Sequence, residues 1–229
     1  SDPAGTLGNA EFRTDKDATA NSVDTTKGYT FESFVKIPKD FNGAQHGWGS
    51  ALSRDSAINK LVDGSDDTDP TVMFGISNLR ELRWWAEPKQ GSGSTVWSHE
   101  VPKDEWMHIA VVNDPQRDSV EMFINGAPIL RNAVGAEGLL PRDLQWVMGG
   151  GFDNQRPQDP WYGWIGETRL TQGVLGKEEW LTARAHDSGK PADTTQPATG
   201  SSALSSSTSS TPAILGAILG IAGVAGLMG

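Results

Sequence analysis

The sequence predicts an all-β domain, a sandwich or a barrel, and three observations lead there. Short runs rich in β-branched and aromatic residues recur at near-regular spacing, with turn residues between them. The run GYTFESFVKIP alternates: Tyr29, Phe31, Ser33 and Val35 fall on one face of a strand, and Thr30, Glu32, Phe34 and Lys36 on the other. In SVEMFINGAPILRN, Asn125 and Gly126 stand between two apolar runs. Both tolerate positive φ, as a tight type I′ hairpin turn requires. No βαβ alternation and no internal repeat competes with this pattern.

The elements follow in chain order. GYTFESFVKIP is the first of these runs. Then come WGSALS (48–53), TVMFGIS (71–77), LRWWAEP (82–88) and TVWSHEV (95–101). In LRWWAEP, Trp84 and Trp85 are adjacent, so one faces in and one out. WMHIAVVN (106–113), SVEMFIN (119–125) and APILRN (127–132) form a three-strand meander, with a turn at NDPQRDS between the first two. LQWVMGG (144–150) and WIGETRLT (164–171) complete the set. One short helix is expected at GKEEWLTARA (176–185). Its acidic first turn suits the helix dipole, and Trp180 would dock it on the sandwich edge.

Composition divides the chain into three. Residues 1–187 are mixed and globular. Residues 188–211 (SGKPADTTQPATGSSALSSSTSST) hold too little apolar surface to offset the entropy of ordering, and read as a disordered stalk. Within them QPATG is similar to a sortase signal, but Gln replaces Leu and no basic residues end the chain, so it reads as stalk. Residues 212–229 (PAILGAILGIAGVAGLMG) carry no charge. As a helix they would span about 26 Å, slightly less than a hydrocarbon core of about 30 Å, with Gly216 and Gly220 in GxxxG spacing. A soluble core helix would show a polar face, and this one has none. The tail is therefore expected to be a membrane or envelope anchor. The chain starts at Ser1 without a signal-peptide pattern, so a processed product or an excised piece of a longer protein is expected.

The formal net charge is −10 and no basic run occurs, which argues against a nucleic-acid partner. There are no cysteines, so disulfides, thiolate chemistry and Cys-ligated zinc are excluded. Nine tryptophans stand against two tyrosines. Indoles fill cores, and they also stack on sugar rings and other flat ligands.

Residue by residue, catalysis finds little support. His108 lies in an alternating strand with Trp106, Ala110 and Val112 on its face. It reads as a core histidine whose ring is satisfied by a backbone carbonyl or a hydroxyl. His99 and Glu100 point to opposite faces, HExxH is absent, and Glu167 has no second carboxylate at glycosidase spacing. DGSDDTDP offers Asp63, Asp66, Asp67 and Asp69 as hard oxygen ligands for calcium, outside the EF-hand pattern. A solvated acidic loop is the alternative. For an organic ligand, the candidates are the indoles Trp48, Trp84, Trp97 and Trp161, with Asp153 and Asn154 of FDNQRPQDP. Packing is the alternative for each indole.

The ordered segments GYTFESFVKI, EWMHIAVVND, VEMFINGAPI and GWIGETRLTQGVLGKEEW resemble the LamG-like (laminin G, concanavalin A-like lectin/glucanase) family over residues 8–186. The resemblance implies a two-sheet antiparallel jelly-roll sandwich with one short helix. It also implies a packing role for the histidine of W-x-H-x-A, and calcium on a rim loop. More narrowly, LRWWAEPKQGSGSTVWSHEVPKDEWMHIAVVND is similar to LamG-like domains attached to calcineurin-like metallophosphoesterases of actinobacteria. The metal-binding motifs of those enzymes are absent from this chain. The expectation is thus a non-catalytic, extracellular binding or adhesion module for a glycan or other envelope component, anchored to the cell surface through residues 212–229. The alternative is a C-terminal accessory domain of a surface metallophosphoesterase whose catalytic domain lies upstream.

Overall fold

The computed structural model describes residues 12–183, except 23, 55–58, 61–65, 68–70, 88–92, 137, 140–144, 154–155 and 159, together with residues 217–219. The strands are β1 (Phe12–Arg13), β2 (Tyr29–Lys36), β3 (Ser50–Arg54), β4 (Asn59–Lys60), β5 (Asp66–Asp67), β6 (Val72–Ile76), β7 (Glu81–Ala86) and β8 (Ser94–Glu100). They continue with β9 (Trp106–Asp114), β10 (Ser119–Ile124), β11 (Ala127–Ile129), β12 (Trp146–Met148), β13 (Gly151–Asp153), β14 (Arg156–Gln158), β15 (Trp164–Gln172) and β16 (Ala217–Leu219). Two six-stranded antiparallel sheets result. Sheet A has the order β1-β12-β3-β6-β7-β8 and sheet B the order β11-β10-β9-β2-β15-β16. Two-stranded pairs β13-β14 and β4-β5 stand apart.

The period-2 pattern decides which face is inside. From β2, Tyr29, Phe31 and Val35 are fully buried in the main core, facing Phe74, Leu82, Trp84 and Val96 of sheet A. Met107, Ile109 and Val111 of β9, and Val120 and Met122 of β10, join them from sheet B. Trp84 ties the two sheets together. Its indole stacks on Phe31 with ring centroids 4.7 Å apart, and its Nε1–H donates to the Tyr29 hydroxyl at 3.0 Å. Burying so large a side chain without stranding its N–H is what makes Trp a good core residue.

The meander is as expected: β9, β10 and β11 are neighbours in that order. Asn125 and Gly126 have φ of 50° and 78°, the all-positive geometry of a type I′ turn. The Asn125 Oδ1 also accepts the His108 N–H at 2.9 Å, so the turn is fastened to β9.

Two expectations need correction. The segment 176–185 is not a continuous helix. It begins as a 3₁₀ turn (Lys177–Glu179), Trp180 then has an extended backbone at φ −69°, ψ 162°, and residues 181–183 return to α-helix. Side chains of sheet B take up its backbone groups: the Leu175 N–H donates to Thr30 Oγ1 and the Leu181 N–H to Glu32 Oε1. It also lies across the outer face of sheet B, not on the edge, with Trp180 over Ala110 and Val112. We call residues 173–183 the strap. The second correction concerns the tail. Its described residues, Ala217–Leu219, form a strand paired antiparallel with Thr168–Leu170 of β15, not a helix. Among the described residues no helix is long and apolar enough to cross a membrane.

Candidate functional site

The outer face of sheet A is built from residues that alternate with the core positions. Antiparallel pairing sets Met73 beside Trp85 and Trp85 beside Thr95. The next row holds Gly75, Arg83 and Trp97. Trp48 reaches this face from the loop before β3. Its φ is 67°, a left-handed backbone that costs a non-glycine residue roughly 1–2 kcal/mol. The loop is braced to hold it there. Asn42 caps the four-residue helix Gly43–His46 by accepting the Ala44 N–H. Gly43 and Gly47 lie so close to Asn78 that a Cβ on either would run into it. His46 stacks on Tyr162 at 3.6 Å, and the Tyr162 hydroxyl donates to Asp40 at 2.8 Å. Burial in this stack lowers the His46 pKa, and the bond to Asp40 raises that of Tyr162.

Trp48 is 44% exposed and meets half-buried Trp97 edge to face, with centroids 6.4 Å apart. A guanidinium covers each indole: Arg83 is 5.2 Å from the Trp48 ring and Arg131 is 5.9 Å from that of Trp97. Arg131 is itself held by Glu81 and by the Ser98 carbonyl. Asn132 closes the edge: its Oδ1 accepts the Trp97 N–H at 3.0 Å and its Nδ2 donates to the Thr95 carbonyl at 2.8 Å. The result is a rigid aromatic surface edged by fixed hydrogen-bond donors, chemically suited to stacking on a flat ligand with polar substituents.

Of the sequence candidates, Trp48 and Trp97 are brought together. Trp84 is not part of the site. It is 1% exposed, because Leu82 and Ala86 set the inward phase of β7, and the outward member of the pair is Trp85. Trp161 is also withdrawn: it is buried and stacks toward Phe74. Asp153 ends β13, on the hairpin whose Gly151 abuts Ser50 and Ser53 of β3. Asn154 lies outside the described residues, as do Asp63 and Asp69. Asp66 and Asp67 form β5 and pair with Lys60 and Asn59. Among the described residues no group of three or more His, Asp or Glu could hold a metal. Arg83, Arg131 and Asn132 were missed from the sequence. Only the Arg83 position was in reach, through alternation within LRWWAEP.

His108 is buried, as expected of a packing residue, but its partner is neither a carbonyl nor a hydroxyl. Its Nε2 lies 3.1 Å from Glu32 Oε1. Glu32 is fully buried under the strap and accepts from Arg169 Nε at 2.8 Å, from Arg169 Nη2, and from the Leu181 N–H at 2.7 Å. Burial alone would raise the Glu32 pKa. The hydrogen bonds from His108, Leu181 and Arg169 outweigh it and hold the carboxyl below its ordinary range. With every acceptor position used and no opening to solvent, the cluster is a fastening and not a reaction centre.

Fold and surface together define a jelly-roll sandwich of the lectin-like class, with a main core between two antiparallel sheets and an aromatic outer face. The chain belongs to the concanavalin A-like lectin/glucanases superfamily, whose Laminin_G_3 model matches residues 12–179. No curated protein matches the chain. Among solved structures, the CBM40 domain of the Ruminococcus gnavus IT-sialidase bound to α2,3-sialyllactose is similar. The TM-score is 0.52 at 17% identity, over 72% of this chain and 85% of that one. The same domain bound to α2,6-sialyllactose gives 0.52 at 16% identity over the same shares. A Bacteroides ovatus protein described as carbohydrate binding gives 0.46 at 14% identity, and this chain covers 39% of it. At these identities the likeness to the two CBM40 structures establishes the fold alone.

Proposed function

We propose that the chain is a non-catalytic glycan-binding module and that its ligand stacks on Trp48 and Trp97 on the outer face of sheet A. The observation that carries this reading is the backbone of Trp48. An exposed indole held at positive φ by a braced loop stabilises nothing in the core, and such strain persists at sites of function. The superfamily and the sialyllactose-bound neighbours support the same class of ligand. The outer cell surface is the proposed setting, and calcium at the 63–70 loop is an accessory proposal.

A glycan array followed by calorimetry, with and without calcium, tests it. Trp48→Ala and Trp97→Ala should each weaken binding about tenfold or more, a loss of about 1.4 kcal/mol or greater. If the wild-type chain binds no glycan in either condition, the reading fails.

A further inference from the structure

The strap covers only part of the outer face of sheet B. It seals Ala110 and Val112 under Trp180, and its cover ends at His108, whose ring touches Trp180 on one side and Phe34 on the other. Beyond that border no other described segment continues the strap, and the face is aromatic. Register places Trp106, Lys36 and Trp164 in one cross-strand row, so the backbones of the two tryptophans stand two interstrand spacings apart, roughly 10 Å. Trp106 is 51% exposed. Its indole lies across β2 toward the bulge in β15: a Cβ on Gly166 would sit 3.5 Å from Trp106 Cζ3 and 3.0 Å from Phe34 Cβ. The Trp106 ring thus reaches within ordinary contact distance of the bulge at Gly166.

The polar groups between the indoles are fixed and self-neutralised. Lys36 Nζ is 2.6 Å from Asp104 Oδ1 and 5.2 Å from the Trp164 ring centroid. Asp104 has φ 61°, a second left-handed non-glycine residue beside an exposed indole, and its N–H is held by the Ile37 carbonyl at 2.7 Å. The patch therefore offers an aromatic shelf and a paired donor and acceptor whose charges offset each other.

We infer that this patch is a second glycan site, taking a neutral oligosaccharide whose successive rings lie on Trp106 and Trp164 while hydroxyls bond to Lys36 and Asp104. The charge balance favours a neutral ligand over an acidic one, and two indoles in a row favour a chain over a single sugar. The inference rests on the glycan-binding reading above but concerns the opposite sheet, so the domain would present two faces to a polymer.

The test uses the full chain titrated with cellohexaose, maltohexaose and xylohexaose, followed by indole Nε1–H NMR signals and native mass spectrometry. One of these sugars should shift the Trp106 and Trp164 signals and still bind the Trp48→Ala/Trp97→Ala variant, one molecule per chain. Trp106→Ala should abolish that binding and Trp106→Phe should restore part of it. A sugar that shifts only the Trp48 and Trp97 signals, with Trp106→Ala unchanged, overturns this site and leaves the sheet A reading intact. If no glycan of any kind shifts an indole, both fall. Concentration-dependent sedimentation abolished by Trp106→Ala would make the patch a self-association surface instead, and would also overturn it.

Discussion

On sheet B, the outer face around Ala110 is closed by the strap, and a fully buried carboxylate fastens that cover. On sheet A, the corresponding face carries larger aromatic side chains, and among the described residues no comparable segment lies over Trp48, which stands 44% exposed on a left-handed backbone. The same alternating strand pattern thus leads to two fates for an outward-facing apolar residue. Where a later segment returns across the sheet, it becomes a second small core. Where none returns, it stays available to a ligand. What distinguishes the two is a polar anchor. Glu32 is costly to bury alone, and it is tolerable because donors from β9, β15 and the strap converge on it.

Substitutions can break this contrast, beginning with the largest effect. Glu32→Ala leaves Arg169 buried beside His108 without its counter-ion. It should cost roughly 3–5 kcal/mol in urea unfolding and expose the Leu181 amide to exchange. A cost below about 1 kcal/mol would mean that the strap holds by apolar contact alone. Asn125→Ala removes a residue suited to φ 50° together with the acceptor for the His108 N–H, and should cost roughly 1–3 kcal/mol. Asn125→Gly should recover most of the backbone part.

The third prediction concerns pH. Because the folded Glu32 carboxyl titrates below its ordinary value, its contribution is complete above that value and is lost as pH falls through the folded one. Wild type should therefore lose stability over that acid window, and Glu32→Gln should have a shallower slope there in urea melts. Equal slopes would remove Glu32 as the source. The smallest effect is on the open face. Trp48→Gly relieves the left-handed strain and should change stability by less than about 1 kcal/mol while weakening glycan binding. A large loss of stability there would make Trp48 a structural residue.

Most of the fold was legible because strand alternation is a local property. The inward set Tyr29, Phe31 and Val35, the Asn125-Gly126 turn and the 106–132 meander all follow from neighbours in sequence. The Glu32–His108 contact joins residues 76 positions apart, and nothing local marks it. The strap's helix is interrupted at Trp180 for the same reason: Thr30 and Glu32 capture N–H groups of the strap from a distant strand. Of the site, the meeting of Trp48 and Trp97 depends on the order β3-β6-β7-β8, which alternation does not specify. Trp84 was the avoidable error, since Leu82 and Ala86 already place it with the inward residues.

The strap also determines how the domain would bear a load. Between Ala183 and β16 the chain runs through the Ser/Thr-rich segment, so tension from the far C-terminus meets three antiparallel residue pairs on the β15 edge first. Once these part, the pull passes to the strap and its fastening on Glu32 before it reaches sheet A and its tryptophans. A tethered domain arranged in this way would yield at its moorings before its ligand-facing surface deformed.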